Sequence, residues 1–164
     1  MEADALKELL IKAGRYTSRY EKTSKEVTEK LLTWSDGEIE PSEIEQIIDQ
    51  LKSEKFIDEE RYAERYVRDK LTMLKKGPIL IRYELQERGV PSSLIQKALS
   101  AIPYDDWFSA LEEYLSPKLT RYKTKAKNEY DLRIRLVDAA YRRGYPSDIY
   151  EEVIDRLAVS LYAF

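Results

Sequence analysis

The sequence has no cysteine and no histidine, and only five glycines and six prolines in 164 residues. Each absence narrows what the chain can do. Without cysteine there is no disulfide and no thiolate nucleophile, and without both residues the Cys/His zinc sites and every His-based triad are excluded. No apolar run approaches the roughly 18 residues that span a bilayer, and the first residues lack the basic, apolar and small-residue pattern of a secretory signal. Missing cysteines are compatible with a reducing compartment. The expectation is a cytoplasmic protein with no membrane partner. Period-two alternation, the mark of a half-buried strand, is found nowhere along the chain.

What is present reads as a folded soluble chain, with 43% hydrophobic and 36% charged residues. The net charge of −3 conceals an asymmetry. Residues 1–60 hold nine basic and sixteen acidic side chains, a balance of −7, whereas residues 118–143 hold nine basic and three acidic, a balance of +6. A pI near 5.3 argues against a polyanionic partner. The local distribution reopens that question.

The glycines and prolines fall where helices should stop and start. Ala5, Leu6, Leu9, Leu10 and Ala13 share a face of a first helix predicted to end near Gly14. A capping box from Thr23 to Glu26 opens a second, carrying Val27, Leu31 and Trp34 inward. Asp36-Gly37 marks a turn, and Pro41 opens a third helix with Ile44, Ile47, Ile48 and Leu51 on one stripe. The triplet then recurs. Asp58 caps a helix with Tyr62, Ala63, Tyr66, Val67, Leu71 and Leu74 inward, closing at Lys75-Lys76-Gly77. Pro78 begins the next, stopped at Gly89, and Pro91-Ser92 the third, with Leu94, Ile95, Ala98, Leu99 and Ile102 inward. A last round opens at Asp105-Asp106 with Trp107, Phe108, Leu111, Tyr114 and Leu115, and Pro117 is predicted to kink or end it. A basic linker from Lys118 to Lys127 leads to a helix with Tyr130, Ile134, Val137 and Tyr141 inward, stopped at Gly144. Pro146-Ser147 starts the final helix, with Ile149, Tyr150, Val153, Ile154 and Leu157.

Arg88-Gly89-Val90-Pro91-Ser92 aligns with Arg143-Gly144-Tyr145-Pro146-Ser147 at an offset of 55, and the apolar positions that follow stay in register. A period of about 50 residues with one helical triplet each marks a repeat protein. The expected fold is therefore all-α: three tandem three-helix repeats at 1–57, 58–103 and 104–164, in an elongated, curved array. Phe56-Ile57 is the expected apolar bridge between the first two.

The stretch from Phe56 to Val67, followed by Lys76-Gly77-Pro78, Ile81, Glu84-Leu85 and Gly89-Val90, resembles the central repeat of the RecX family, regulators of the RecA recombinase. Ser24-Lys25-Glu26-Val27 with Leu31 resembles the family's first repeat, and Arg143-Gly144-Tyr145-Pro146 the end of its third. The resemblance implies three tandem three-helix repeats in a curved, elongated shape. It also implies docking in the groove of the RecA–single-stranded-DNA filament. The implied consequence is modulation, usually inhibition, of RecA's ATPase, strand exchange and coprotease activity. One departure stands out: family members are often basic, and this chain is acidic in its first third, which bears on direct DNA affinity more than on filament binding.

The candidate contact residues are basic. Lys75, Lys76, Arg82 and Arg88 surround the second helix of the middle repeat; Lys118, Arg121, Lys123, Lys125, Lys127, Arg133, Arg135, Arg142 and Arg143 do the same for the third. Such a set suits phosphates, of the filament or of single-stranded DNA. The plainer reading is solvation of helix faces, with Arg88 and Arg143 complementing helix C-termini. Tyr122, Tyr130, Tyr141 and Tyr145 interleave with the basic run as a base-stacking platform would. The stripe shared by Tyr130, Ile134, Val137 and Tyr141 instead assigns at least two of these rings to the core. Asp58-Glu59-Glu60 and Asp105-Asp106 read as helix caps, and Gly77, Gly89 and Gly144 as helix stops. No catalytic residue, metal ligand or cofactor is expected, and the chain should act as a monomer by binding. A sequence-tolerant DNA-binding protein that needs no RecA is the alternative.

Overall fold

A computed structural model describes the backbone of residues 1–161 and the side chains of residues 1–158. The last three residues of the expected third repeat, 162–164, lie outside the described residues. Every regular element among those described is an α-helix: α1 (Ala3–Arg19), α2 (Ser24–Trp34), α3 (Pro41–Ser53), α4 (Glu59–Leu74), α5 (Pro78–Glu87), α6 (Ser92–Ser100), α7 (Tyr104–Lys125), α8 (Glu129–Arg142) and α9 (Ser147–Leu161). The all-α class holds, with its helices in three successive triplets.

The chain gathers into two compact units: Met1–Glu64 with Leu85–Ile95, and Arg65–Glu84 with the chain from Gln96 onward. In the first unit, α1, α2 and α3 enclose a core of Leu9, Ala13, Val27, Leu31, Ile47, Ile48 and Leu51. Ile57 joins that core, while Phe56 beside it is 36% exposed, so only half of the expected apolar bridge is buried. Burying each Leu or Ile contributes about 1.5–3 kcal/mol, which no single helix of this length gathers alone. Half of the expected capping box forms: Thr23 Oγ1 accepts from the Glu26 amide at 3.2 Å, while Glu26 Oε1 lies 3.4 Å from the Thr23 hydroxyl in place of its backbone amide, and Thr23 is buried. Asp58 Oδ1 accepts from the Arg61 amide at 3.0 Å and caps α4.

Two expected helix ends are wrong. Helix α1 does not stop at Gly14 but runs to Arg19, because Thr17 continues the buried stripe and its hydroxyl bonds back to Ala13 O at 3.0 Å. Nor does α7 end at Pro117. It runs on to Lys125, so most of the expected basic linker is helical. A mid-helix proline costs about 3 kcal/mol, and here the packing of α7 against both α8 and α9 outweighs it. Asp105 and Asp106 are first-turn residues of α7 rather than its cap, which is Pro103.

The aligned glycine turns have one geometry. Gly89 and Gly144 take φ of +76° and +95°, and the next amides, of Val90 and Tyr145, reach back to Leu85 O and Ala140 O at 3.1 Å each. Gly77 has a different reason to be glycine. The left-handed residue of its turn is Lys75, at φ +55°, whereas a Cβ on Gly77 would run into the Gly144 carbonyl. Its amide donates to Arg143 O at 2.8 Å, and that of Ile79 to Gly144 O at 3.0 Å. Gly77 is a close-approach residue, not merely a helix stop.

A Cβ at Gly14 would meet nothing within 4 Å. Gly14→Ala should therefore raise stability by about 0.5–1 kcal/mol through helix propensity, and Gly77→Ala should lower it by about 1–3 kcal/mol through overpacking. Thermal unfolding followed by circular dichroism checks the pair. Equal shifts of one sign would contradict the tight turn.

Candidate functional site

Most of the predicted basic residues are already engaged. Lys75 Nζ lies 2.6 Å from Glu113 Oε2, and Lys76 Nζ lies 2.6 Å from Glu84 Oε2 with both side chains more than four-fifths buried. The other Glu84 oxygen accepts from the Tyr66 hydroxyl at 2.9 Å. Arg82 donates to Gln96 Oε1 at 2.7 Å. Arg88 bonds to the Tyr62 hydroxyl, whose pKa is raised by burial and by Glu26, with Arg88 opposing. Arg133 pairs with Asp155 at 2.8 Å, and Arg142 with Asp138 at 3.1 Å.

Arg143 is a structural residue. Its guanidinium donates to Leu74 O and lies 4.9 Å from the Tyr114 ring centroid, while its Nε is buried without a partner. The Tyr145 hydroxyl donates to Lys75 O at 2.8 Å, and Tyr145 is fully buried. Together these bonds hold the α4–α5 turn against the α8–α9 turn.

A further group of cations sits at the end of α7 and just beyond it. Arg121 lies 5.3 Å from the Tyr122 ring, and Lys118 lies 4.9 Å from the Tyr114 ring. Lys123 and Lys125 end the helix, and Lys127 follows it, all three exposed. Among the described residues no carboxylate pairs with the Nζ of Lys125 or Lys127. The Lys127 backbone amide donates to Asp131 Oδ2 at 3.0 Å, which, with Arg135, holds that carboxyl below the usual range. Asn128 caps α8 through the Asp131 amide at 2.8 Å.

The tyrosine assignment is corrected. Tyr130, Ile134 and Tyr141 are 75%, 48% and 70% exposed, and Leu132, Leu136, Ala139 and Ala140 face the core instead. Helix α8 carries two apolar stripes of helical period, and α7 and α9 cover the one with smaller side chains. The other borders an open cleft of about 420 Å³ with Arg133 and Asp138.

Sequence reasoning missed a second cluster, in the first unit. The last turns of α1 and the end of α2 form a cleft of about 610 Å³, with Lys12, Arg15, Arg19 and Lys22 on its wall and no acidic side chain among its lining. Tyr16 meets Trp34 edge-on, with centroids 5.7 Å apart. Lys12 lies 4.6 Å from the Trp34 ring, and Lys22 and Lys30 lie 4.9 and 5.7 Å from the Tyr16 ring. The signal was present in Arg15-Tyr16 and Arg19-Tyr20, one helical turn apart, but the acidic average of residues 1–60 masked it.

Among the described residues no cluster of acidic side chains is placed to hold a metal ion, and no helix is long and apolar enough to cross a membrane. The molecule is thus an all-helical protein of three-helix groups joined by glycine turns, offering charged and aromatic surfaces. Its relatives are specific. Residues 58–99 match the family described as RecX, second three-helix domain. The regulatory protein RecX of Oceanobacillus iheyensis is 31% identical over 137 residues, covering 83% of this chain and 48% of that one. That of Leuconostoc mesenteroides is 31% identical over 157 residues, covering 94% and 56%. A crystal structure of RecX from Lactobacillus salivarius shares the fold, with a TM-score of 0.88 and 24% identity over 96% of this chain and 99% of that one. The chain belongs to the RecX family. It spans about half the length of the curated relatives it matches.

Arg143→Ala should lower stability by about 1.5–3 kcal/mol, since it deletes a charged hydrogen bond, whereas Lys125→Ala and Lys127→Ala should stay within about 0.5 kcal/mol. Indistinguishable melts would refute this division of the basic set. Tyr145 adds a pH dependence. Burial pushes its phenol above the ordinary value, so the folded chain keeps a proton that the unfolded chain releases above about pH 10. That contribution is whole below pH 10 and is lost as the pH rises further. Melting temperature should fall more steeply above pH 10 in the wild type than in Tyr145→Phe.

Proposed function

We propose that this chain is a regulator of the RecA recombinase, binding the RecA–single-stranded-DNA filament and inhibiting its ATPase, strand-exchange and coprotease activities. Membership of the RecX family, whose matched relatives are named regulatory proteins, carries this reading. In it the chain acts by binding, as a cytoplasmic monomer without cofactor. The repeats at 1–57, 58–103 and 104–164 would touch successive parts of one filament. Linked contacts raise one another's effective concentration, so individually weak ones sum to tight binding. Inhibition then follows from higher affinity for one filament state than for the other. Arg121, Lys123, Lys125 and Lys127 are the best placed of the basic residues to meet filament phosphates, because their chain segment is exposed.

The test is RecA ATPase on single-stranded DNA. Wild-type chain should inhibit at or below one protein per RecA, and the triple variant Arg121→Ala/Lys125→Ala/Lys127→Ala should need about tenfold more protein. Normal ATPase at saturating protein, with no co-sedimentation with the filament, rejects the reading. The exposed Lys125 and Lys127 also favour a second reading, sequence-tolerant DNA binding without RecA. That one predicts inhibition that vanishes once DNA is in excess over the added protein.

A further inference from the structure

We infer that the cleft between the end of α1 and the end of α2 is a binding site for single-stranded nucleic acid, separate from the basic stretch at the end of α7. Its position is unexpected, because residues 1–60 are the most acidic part of the chain. Folding reverses the local balance. Five of the nine cations in that segment, Lys12, Arg15, Arg19, Lys22 and Lys30, come together around Tyr16, Tyr20 and Trp34.

Three features point to a strand. First, Lys12, Arg15 and Arg19 follow the i, i+3, i+7 row of α1, which spreads their charge over about 10 Å of helix. That is a rail for successive phosphates, longer than one phosphate group covers. Second, Arg15 and Arg19 are exposed, and among the described residues neither has an ion-pair partner; Lys22 alone of the wall is paired, with Glu26 at 3.7 Å. Third, Tyr20 is 72% exposed beside that row, with Lys22 6.0 Å from its ring centroid. Tyr16 and Trp34 are half-buried and hold each other edge-on. Alternating cations and aromatic faces is the composition that binds single strands without reading sequence, phosphates on the cations and bases on the rings. An acidic peptide would use the cations and leave the rings idle. Within this site Tyr20 is the stacking platform and Arg15 and Arg19 are the phosphate ligands.

The experiment needs no RecA, so it stands or falls apart from the filament reading. A fluorescently labelled oligothymidylate of about ten nucleotides is titrated with the full chain by anisotropy at several salt concentrations. Arg15→Ala/Arg19→Ala should weaken binding about tenfold and reduce the salt slope by about 1.4, at 0.7 per phosphate lost. Tyr20→Ala should weaken it at least about fivefold while leaving the slope unchanged. All three residues are exposed, so their variants should fold, which circular dichroism verifies. The strand should also perturb Trp34 fluorescence, and Trp34→Phe should remove that signal, since Trp107 is buried in the other unit. Wild-type affinity and slope in both variants would overturn the proposal. So would binding abolished by Lys125→Ala/Lys127→Ala and unaffected by Arg15→Ala/Arg19→Ala. Displacement by polyglutamate at equal charge would point to an acidic protein segment and overturn the ligand class. Equal competition by free thymidine monophosphate would overturn the strand as occupant.

Discussion

Two glycine turns carry this fold, each lying against the opening turn of an earlier helix. Gly89 faces the Lys25 side chain at the start of α2, where an added Cβ would come within 3.2 Å of it. Gly144 faces Leu80 near the start of α5, where a Cβ would strike backbone. Both glycines need a positive φ as well, so conformation and space demand the same residue. Each turn therefore reverses the chain and joins one triplet to the triplet before it. Helices of 9–22 residues are not stable alone, and a repeat of about 50 residues is marginal. The joins make such pieces cooperative.

The joins also decide what the basic residues are for. At the joins, long cationic side chains donate to carbonyls that end neighbouring helices. Arg143 donates to Leu74 O, and Lys25 Nζ to Glu87 O at 2.8 Å. Lys75 and Lys76 find carboxylates beside the same turn. Lys76, more than four-fifths buried with Glu84, has traded its hydration for a fixed partner, and moving it to a phosphate would leave a buried carboxylate without its counter-charge. Arg121, Lys125 and Lys127 carry no such obligation. Chemistry that looks uniform in the sequence divides into mortar and free surface once the turns close.

Most of the helix order was legible because its signals are local. Thr23 with Glu26, Pro41, Pro78 and the recurring Arg-Gly-x-Pro-Ser set each act within one turn of chain. What escaped was decided by tertiary packing. Nothing near Gly14 says that Thr17 will be buried, and nothing near Pro117 says that packing against two helices will carry α7 past it. Helix α8 is the sharpest case: its two stripes, Tyr130–Ile134–Tyr141 and Leu132–Leu136–Ala139, have the same period, and only the shape of the neighbours chooses between them. The larger rings lost the core to residues that allow closer helix approach. For the sites, a list of basic residues was available from composition, but their sorting required knowing which turn meets which.

Net charge was the least reliable guide, for a physical reason. At physiological salt an exposed charge is screened beyond about 8 Å, so a phosphate senses the few side chains beside it and hardly senses the rest of the chain. Asp36, Glu38 and Glu40 lower the average of the first sixty residues without entering the lining of the cleft that Arg15 and Arg19 form. Composition averages over sequence, whereas a ligand averages over a sphere a few ångströms across. Helix α1 converts one average into the other, because its acids, Asp4 and Glu8, belong to its first two turns, while Lys12, Arg15 and Arg19 share a face of the turns that follow. A protein with a pI near 5.3 can thus present local cationic surfaces. Its acidic remainder keeps long-range attraction to polyanions weak, so selectivity has to come from close contact rather than from steering.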